Sequence, residues 1–289
     1  MRNEKEMMDL ILGIAKEDNR IRAVILNGSR ANPNARKDIF QDYDIVYVVT
    51  ELEPYKCNLD WIKQFGEMMI LQLPDDMEDP QPEEWPGYAY LMQFADGNRI
   101  DLTCVPVSNL QEYLDDSLSV LLLDKDGIVP SFPPADESGY LPKPPSQKAY
   151  EDCCNEFWWV SPYAAKGLWR REYIYARQMM DLHVREQLMK MLVWYIGVRT
   201  EFKVSPGKFG KHFQRYLEPA LWEELCRTYS DADYEHTWDA LQTMGDVFRT
   251  VAIVVGDHFG YAYPVGDDER VSAHLRYVRE LPGDAVELY

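Results

Sequence analysis

Asp42 and Asp44, with Tyr43 between them, stand before an apolar run, Ile45-Val-Tyr-Val-Val49. Side chains alternate along a strand, so the two carboxylates share a face and repel each other. A divalent cation removes that repulsion, and Mg²⁺ commonly takes one or two carboxylates together with substrate phosphates. A second strand-like run, residues 24–26, ends in Asn27-Gly28-Ser29-Arg30. Gly28-Ser29 offers a small turn where backbone can approach a phosphate, and Arg30 adds a positive charge beside it. A third carboxylate, Asp101, opens Asp101-Leu-Thr-Cys-Val105 after the turn Asp96-Gly97-Asn98. A strand here lying beside the second would bring Asp101 to the same edge. A Gly-Ser turn or an Asp-x-Asp pair is ordinary alone; in this order they describe a phosphate cradle facing a metal clamp.

That arrangement resembles the nucleotidyltransferase superfamily of polymerase-beta-like enzymes. The longer strings Asn27-Gly-Ser-Arg-Ala-Asn-Pro-Asn34, Phe40-Gln-Asp-Tyr-Asp-Ile45 and Pro206-Gly-Lys-Phe-Gly-Lys211 are similar to the aminoglycoside 6-adenylyltransferases, also called streptomycin adenylyltransferases, over nearly the whole chain. The resemblance implies ATP and Mg²⁺ as cofactors and transfer of AMP to a hydroxyl of a cationic aminoglycoside, at position 6 of streptomycin. Asp42, Asp44 and Asp101 would then be catalytic and metal-binding. Asp101 either takes the proton from the attacking hydroxyl or shares a second metal. Gly28, Ser29, Arg30, Lys208 and Lys211 would bind nucleotide, since such two-domain enzymes close a basic residue of the helical domain, here Lys211, over the triphosphate. Two alternatives stay open: the same chemistry on another small cationic metabolite or a protein hydroxyl, and a non-catalytic nucleotide-binding module.

Several elements must position these residues. Residues 7–16 carry helical spacing, residues 21–26 and Tyr43–Val49 read as strands, and Leu59–Phe65 as a short helix. Residues 67–73 and 119–123 read as further strands, residues 109–115 as a helix, and residues 88–94 and 99–105 as a hairpin. The acidic segment 74–86 holds Asp75, Asp76, Glu78, Asp79, Glu83 and Glu84. It reads as a solvated excursion or a lure for a cation. Prolines 130, 133, 134, 142, 144 and 145 break regular structure. The expected organisation is therefore α/β (α+β): a mixed-sheet nucleotidyltransferase domain over residues 1–134, a Pro-rich connector over 129–146, and a helical bundle over 147–289 that binds substrate.

In that bundle, helices are expected over 149–168, 170–182, 185–199 and 233–259, with 209–217 resuming a helix after Ser205-Pro-Gly-Lys-Phe-Gly and one more over 269–280. Glu156, Trp159 and Tyr163 fall at i, i+3 and i+7, with Trp158 beside them. Aromatics with a carboxylate could hold a cationic sugar, and could equally be bundle core. Asp181 is a second acidic candidate; its alternative is an ion pair with Arg177 or Arg185.

A net charge of −19 disfavours nucleic acid, whose backbone needs a basic surface, and favours cationic partners. No apolar run approaches a membrane span and no secretory leader is evident, so a soluble, cytoplasmic protein without a membrane partner is expected, as a monomer or weak homodimer. Five cysteines without metal-like spacing read as reduced structural thiols. None of the five histidines has zinc spacing, and none is assigned to catalysis.

Overall fold

The computed structural model describes residues 1–79 and 85–289. The chain divides into two compact units, Met1–Gly139 and Tyr140–Tyr289.

The first unit is built on side-chain alternation, broken in β1 by a register shift after Ile21. In strand β2 (Tyr43–Val49), Tyr43, Ile45, Tyr47 and Val49 enter one apolar cluster, while Val46 and Val48 enter another on the opposite face. Strand β1 (Ile21–Asn27) splits likewise, with Val24 and Leu26 on the first face and Ala23 and Ile25 on the second. With β3 (Met68–Gln72), β4 (Tyr88–Phe94), β5 (Arg99–Pro106) and β6 (Ser119–Asp124) they form a six-stranded sheet in the order β3-β4-β5-β2-β1-β6. β2 and β5 run parallel, and the other neighbours are antiparallel. Helix α1 (Glu4–Glu17) starts with a capping box between Asn3 and Glu6, worth about 1 kcal/mol. It buries Met7, Ile11, Ile14 and Ala15 in the first cluster, where the Tyr47 hydroxyl donates to the Ile11 carbonyl at 2.6 Å. Two short helices, α2 (Gly28–Ala31) and α3 (Glu53–Lys56), and 3₁₀ turns that include Leu59–Phe65, Pro74–Asp76 and Val107–Tyr113 connect the strands.

Part of the acidic segment is tied down. Asp75 accepts from the Ala89 amide at 2.7 Å and from the Trp85 indole, and Asp76 from the Tyr88 hydroxyl. Asp75 is thus partly buried and engaged, whereas Asp76, though bonded to Tyr88, stays exposed with Glu78 and Asp79, as a solvated excursion would be; Glu83 and Glu84 lie outside the described residues.

The second unit is helical: α4 (Gln147–Trp169), α5 (Tyr173–Gln178), α6 (Arg185–Arg199), α7 (Phe213–Tyr216), α8 (Pro219–Arg227), α9 (Tyr234–Phe259) and α10 (Val265–Glu280). Its core centres on α4 and α9, where Phe157 and Phe248 stack at 3.8 Å and Trp158 meets both rings edge-on. Two expected helices are corrected. The helix over 170–182 is interrupted at Arg171, whose φ is 60°, restarts at Tyr173 and passes into a π-helical turn, Met179–Val184. The helix over 209–217 shrinks to Phe213–Tyr216, because Phe209 has φ 56° and Pro219 begins a separate helix.

Among the described residues no helix is long and apolar enough to cross a membrane, and all five cysteines are free thiols.

Candidate active site

The parallel pairing of β2 with β5 puts Asp44 directly opposite Asp101. Both sit on the sheet face of Val46, Val48 and Val105, at the strand ends where that apolar face stops. Asp42 precedes β2 by one residue and lies close enough for its charge to act on Asp44. Burial, then the charges of Asp101 and Asp42, push the Asp44 carboxyl up to about 6. Asp42 is raised too, by burial first, against the pull of Arg99.

Arg99 is the counter-charge, and sequence reasoning passed it over. Its Nε and Nη2 donate to the two Asp101 carboxylate oxygens at 2.7 and 2.8 Å, and its Nε lies 3.8 Å from Asp42. The signal was available, because Arg99 and Asp101 are two apart on one strand and so share a face. Among the described residues no three His, Cys, Asp or Glu groups are drawn together closely enough to hold an ion. At this edge Arg99 supplies the positive charge and takes up Asp101. The donor set still fits a hard cation: carboxylate oxygens on neighbouring strands, with Asp44 costly to keep charged without a partner.

Gly28 shapes the other wall. Its φ is +69°, and a Cβ built on it would lie 2.2 Å from Asp44 Oδ2. Only glycine leaves that carboxylate its room. The Gly28 amide donates to the Leu118 carbonyl at 3.1 Å, which fixes the turn, and the Ser29 carbonyl accepts from Gln41. Arg30 has another task than the phosphate contact expected of it. Its guanidinium donates to the carbonyls of Gln41 at 2.8 Å and Asp42 at 3.0 Å, and stacks on the Tyr43 ring at 3.7 Å. It braces the backbone that carries Asp42 and is spent there.

The streptomycin adenylyltransferase family matches residues 1–278. An aminoglycoside 6-adenylyltransferase of Bacillus subtilis is 41% identical over 270 residues, covering 93% of this chain and 95% of the relative. The chain belongs to the streptomycin adenylyltransferase family. It is a nucleotidyltransferase. An aminoglycoside 6-adenylyltransferase of Campylobacter jejuni is 41% identical over 277 residues, covering 95% of each chain. A crystal structure of an aminoglycoside 6-adenyltransferase from Bacillus subtilis aligns with 97% of this chain and 100% of that one, at 36% identity and a TM-score of 0.48.

In this family member the helical-unit candidates separate. Lys208 and Lys211 are exposed and have no ion-pair partner among the described residues. Asp181 is held by Arg177 at 2.9 Å and Arg185 at 3.1 Å, so the ion-pair alternative holds and its charge is used inside the fold. Trp158 is core, 2% exposed, its indole donating to the Tyr263 hydroxyl at 3.1 Å. Glu156 and Trp159 are exposed, so neither belongs to the bundle core. Tyr163 lies beneath the Lys166 ammonium, 4.8 Å from its ring, and lines a mostly apolar cavity of about 390 Å³ with Trp169 and the C-terminal tail. The expected single wall of Glu156, Trp158, Trp159 and Tyr163 is therefore one buried ring, two exposed side chains, and a tyrosine beneath a cation.

Proposed function

We propose that the chain transfers AMP from ATP, with Mg²⁺, to a hydroxyl of an aminoglycoside, at position 6 of streptomycin. The observation that carries this reading is the carboxylate edge of Asp42, Asp44 and Asp101 against Gly28, in a chain belonging to this family. The acceptor oxygen attacks the α-phosphorus of ATP, the bond between the α- and β-phosphates breaks, and pyrophosphate leaves. The acceptor proton goes to Asp101, whose oxygens Arg99 now holds; that grip must loosen for Asp101 to act as base. Asp42 and Asp44 would hold Mg²⁺, which when bound neutralises charge on the reacting phosphates.

Gly28 and Ser29 form the turn that the phosphates approach, with the Gly28 amide itself already bonded to the Leu118 carbonyl. Lys208 and Lys211 are the remaining phosphate-binding candidates. Arg30 acts indirectly by fixing Asp42. Little covalent work falls to the protein, so positioning and fixed charge dominate. The −19 charge suits a polycationic acceptor without selecting one. In domain terms, the first unit carries the chemistry and the second the acceptor.

The test is mass spectrometry of products after mixing the protein with ATP, Mg²⁺ and, separately, streptomycin, spectinomycin and kanamycin. An AMP adduct on streptomycin alone is expected. Adducts on another drug would move the acceptor, and no adduct on any would sink the aminoglycoside reading.

A further inference from the structure

Phe209 is 89% exposed and sits between Lys208 and Lys211 on the turn 205–212. Its φ of 56° is a backbone conformation that bulky L-residues avoid. The turn is built to hold it there. Gly207 and Gly210 on either side also have positive φ, and the turn is closed by the His212 amide donating to the Pro206 carbonyl at 3.1 Å. A Cβ on Gly207 would come within 2.6 Å of Lys211 Cγ, so the lysine stem lies directly against the turn.

Phe202, at φ 57°, makes the contrast. It is partly buried, packs on Gly197 and pairs with the Phe259 ring at 6.1 Å, so packing offsets its strain. Among the described residues Phe209 pairs with no other ring; the Lys208 ammonium lies 5.3 Å from its centroid. Glycine would relieve the strain at no cost to packing, so the ring's use lies outside the fold.

We propose that Phe209 is the base-stacking residue for the nucleotide, with Lys208 and Lys211 beside it on the phosphates. An aromatic face next to two ammonium groups matches one chemical class: a planar base joined to a polyphosphate. A polycationic acceptor would be repelled by the two lysines, and a nucleic acid by the −19 chain. This rests on the nucleotidyl-transfer reading and extends it by assigning the base.

The experiment is calorimetric titration of the full chain with ATP and with inorganic tripolyphosphate, each with Mg²⁺, for the natural protein, Phe209→Gly and Phe209→Trp. Phe209→Gly is expected to unfold at a higher temperature, because the strain is gone. It should lose roughly tenfold in ATP affinity, within the range for one base–aromatic stack, and bind tripolyphosphate as before. Phe209→Trp should restore ATP affinity, with indole fluorescence quenched by ATP and not by tripolyphosphate. A purely structural role would instead show lost stability and equal effects on both ligands. ATP affinity unchanged in Phe209→Gly, or equal losses for both ligands, overturns the proposal. ATP binding that depends on Phe209, in a chain forming no adduct with any aminoglycoside, keeps this inference and removes the acceptor. Failure of the natural chain to bind ATP removes both.

Discussion

Replacing Gly28 by alanine tests the geometry of the carboxylate edge directly. The new Cβ would lie 2.2 Å from Asp44 Oδ2 and 3.0 Å from its Cγ. The backbone there has φ +69°, which costs an L-residue about 1–2 kcal/mol by itself. Forcing an atom into filled space adds roughly 1–3 kcal/mol, so Gly28→Ala should lose about 2–5 kcal/mol in total. The two parts can be separated. In an Asp44→Ala background the nearest remaining atom of residue 44 is its Cβ at 3.5 Å, an ordinary contact. There the glycine substitution should cost only the backbone part.

Urea unfolding of the four proteins of this cycle, in chelator, should therefore give a coupling of about 1–3 kcal/mol between the two positions. Gly28→Ala alone should also transfer AMP poorly, because Asp44 is pushed from its place. Additive losses, within about 0.5 kcal/mol, would refute the claim that this glycine exists to make room for Asp44.

Asp44→Asn should abolish transfer and stabilise the metal-free protein. A carboxyl raised to about 6 loses stability as pH climbs from the ordinary carboxylate value, so at pH 7 asparagine removes a penalty of roughly 3 kcal/mol; an unchanged or lower unfolding midpoint in chelator would contradict this. Arg99→Ala should lower the melting temperature in chelator and gain more from added Mg²⁺ than the natural protein does, since a cation then replaces the lost guanidinium; an equal Mg²⁺ response in both would show that Arg99 does not stand in for the ion. Arg2 bonds the Asp96 carboxylate at 2.7 Å and holds that carboxyl well below its usual range. The stability this supplies is present above about pH 4 and lost as pH falls through the lowered value, so the gap between the natural protein and Arg2→Ala in urea should be full at pH 7 and shrink toward pH 2. Asp268 is 2% exposed and accepts from Arg249, Tyr263 and Ser272; Asp268→Ala takes the acceptor from the two hydroxyls while Asp246 still holds Arg249 at 2.8 Å, and should cost about 1–3 kcal/mol in the same assay.

The sheet was legible because its residues obey one local rule. Alternation bounded Tyr43–Val49 and Tyr88–Phe94 at the strands observed, and Asp96-Gly97-Asn98 marked the hairpin turn. The same rule, extended one strand over, brought Asp101 beside Asp44. What escaped depends on which side chains a carboxylate meets across the fold. Arg99 shares a face with Asp101 and could have been read from spacing, but its reach toward Asp42 needed the register. Arg30 looks like a phosphate ligand because it follows Gly-Ser; only the three-dimensional path of residues 41–43 shows it occupied. Periodicity in the helical half could not separate core from surface at Glu156, Trp158 and Trp159, nor foresee a left-handed residue at 209. A 3.6-residue repeat assumes an unbroken helix, and a single positive φ ends one.

The parallel pairing of β2 with β5 has a consequence for how the protein comes into being. Strands that run parallel must be joined by a long excursion, and here β2 ends at Val49 while β5 begins at Arg99. The chain must close that distance, at an entropic cost that local contacts do not offset, before Asp44 meets Asp101. The β4–β5 hairpin can form first from neighbouring residues, then dock onto β2 as a unit. On a ribosome, Asp42 and Asp44 are thus made long before their partner strand, and the three acids first crowd one another at that docking step.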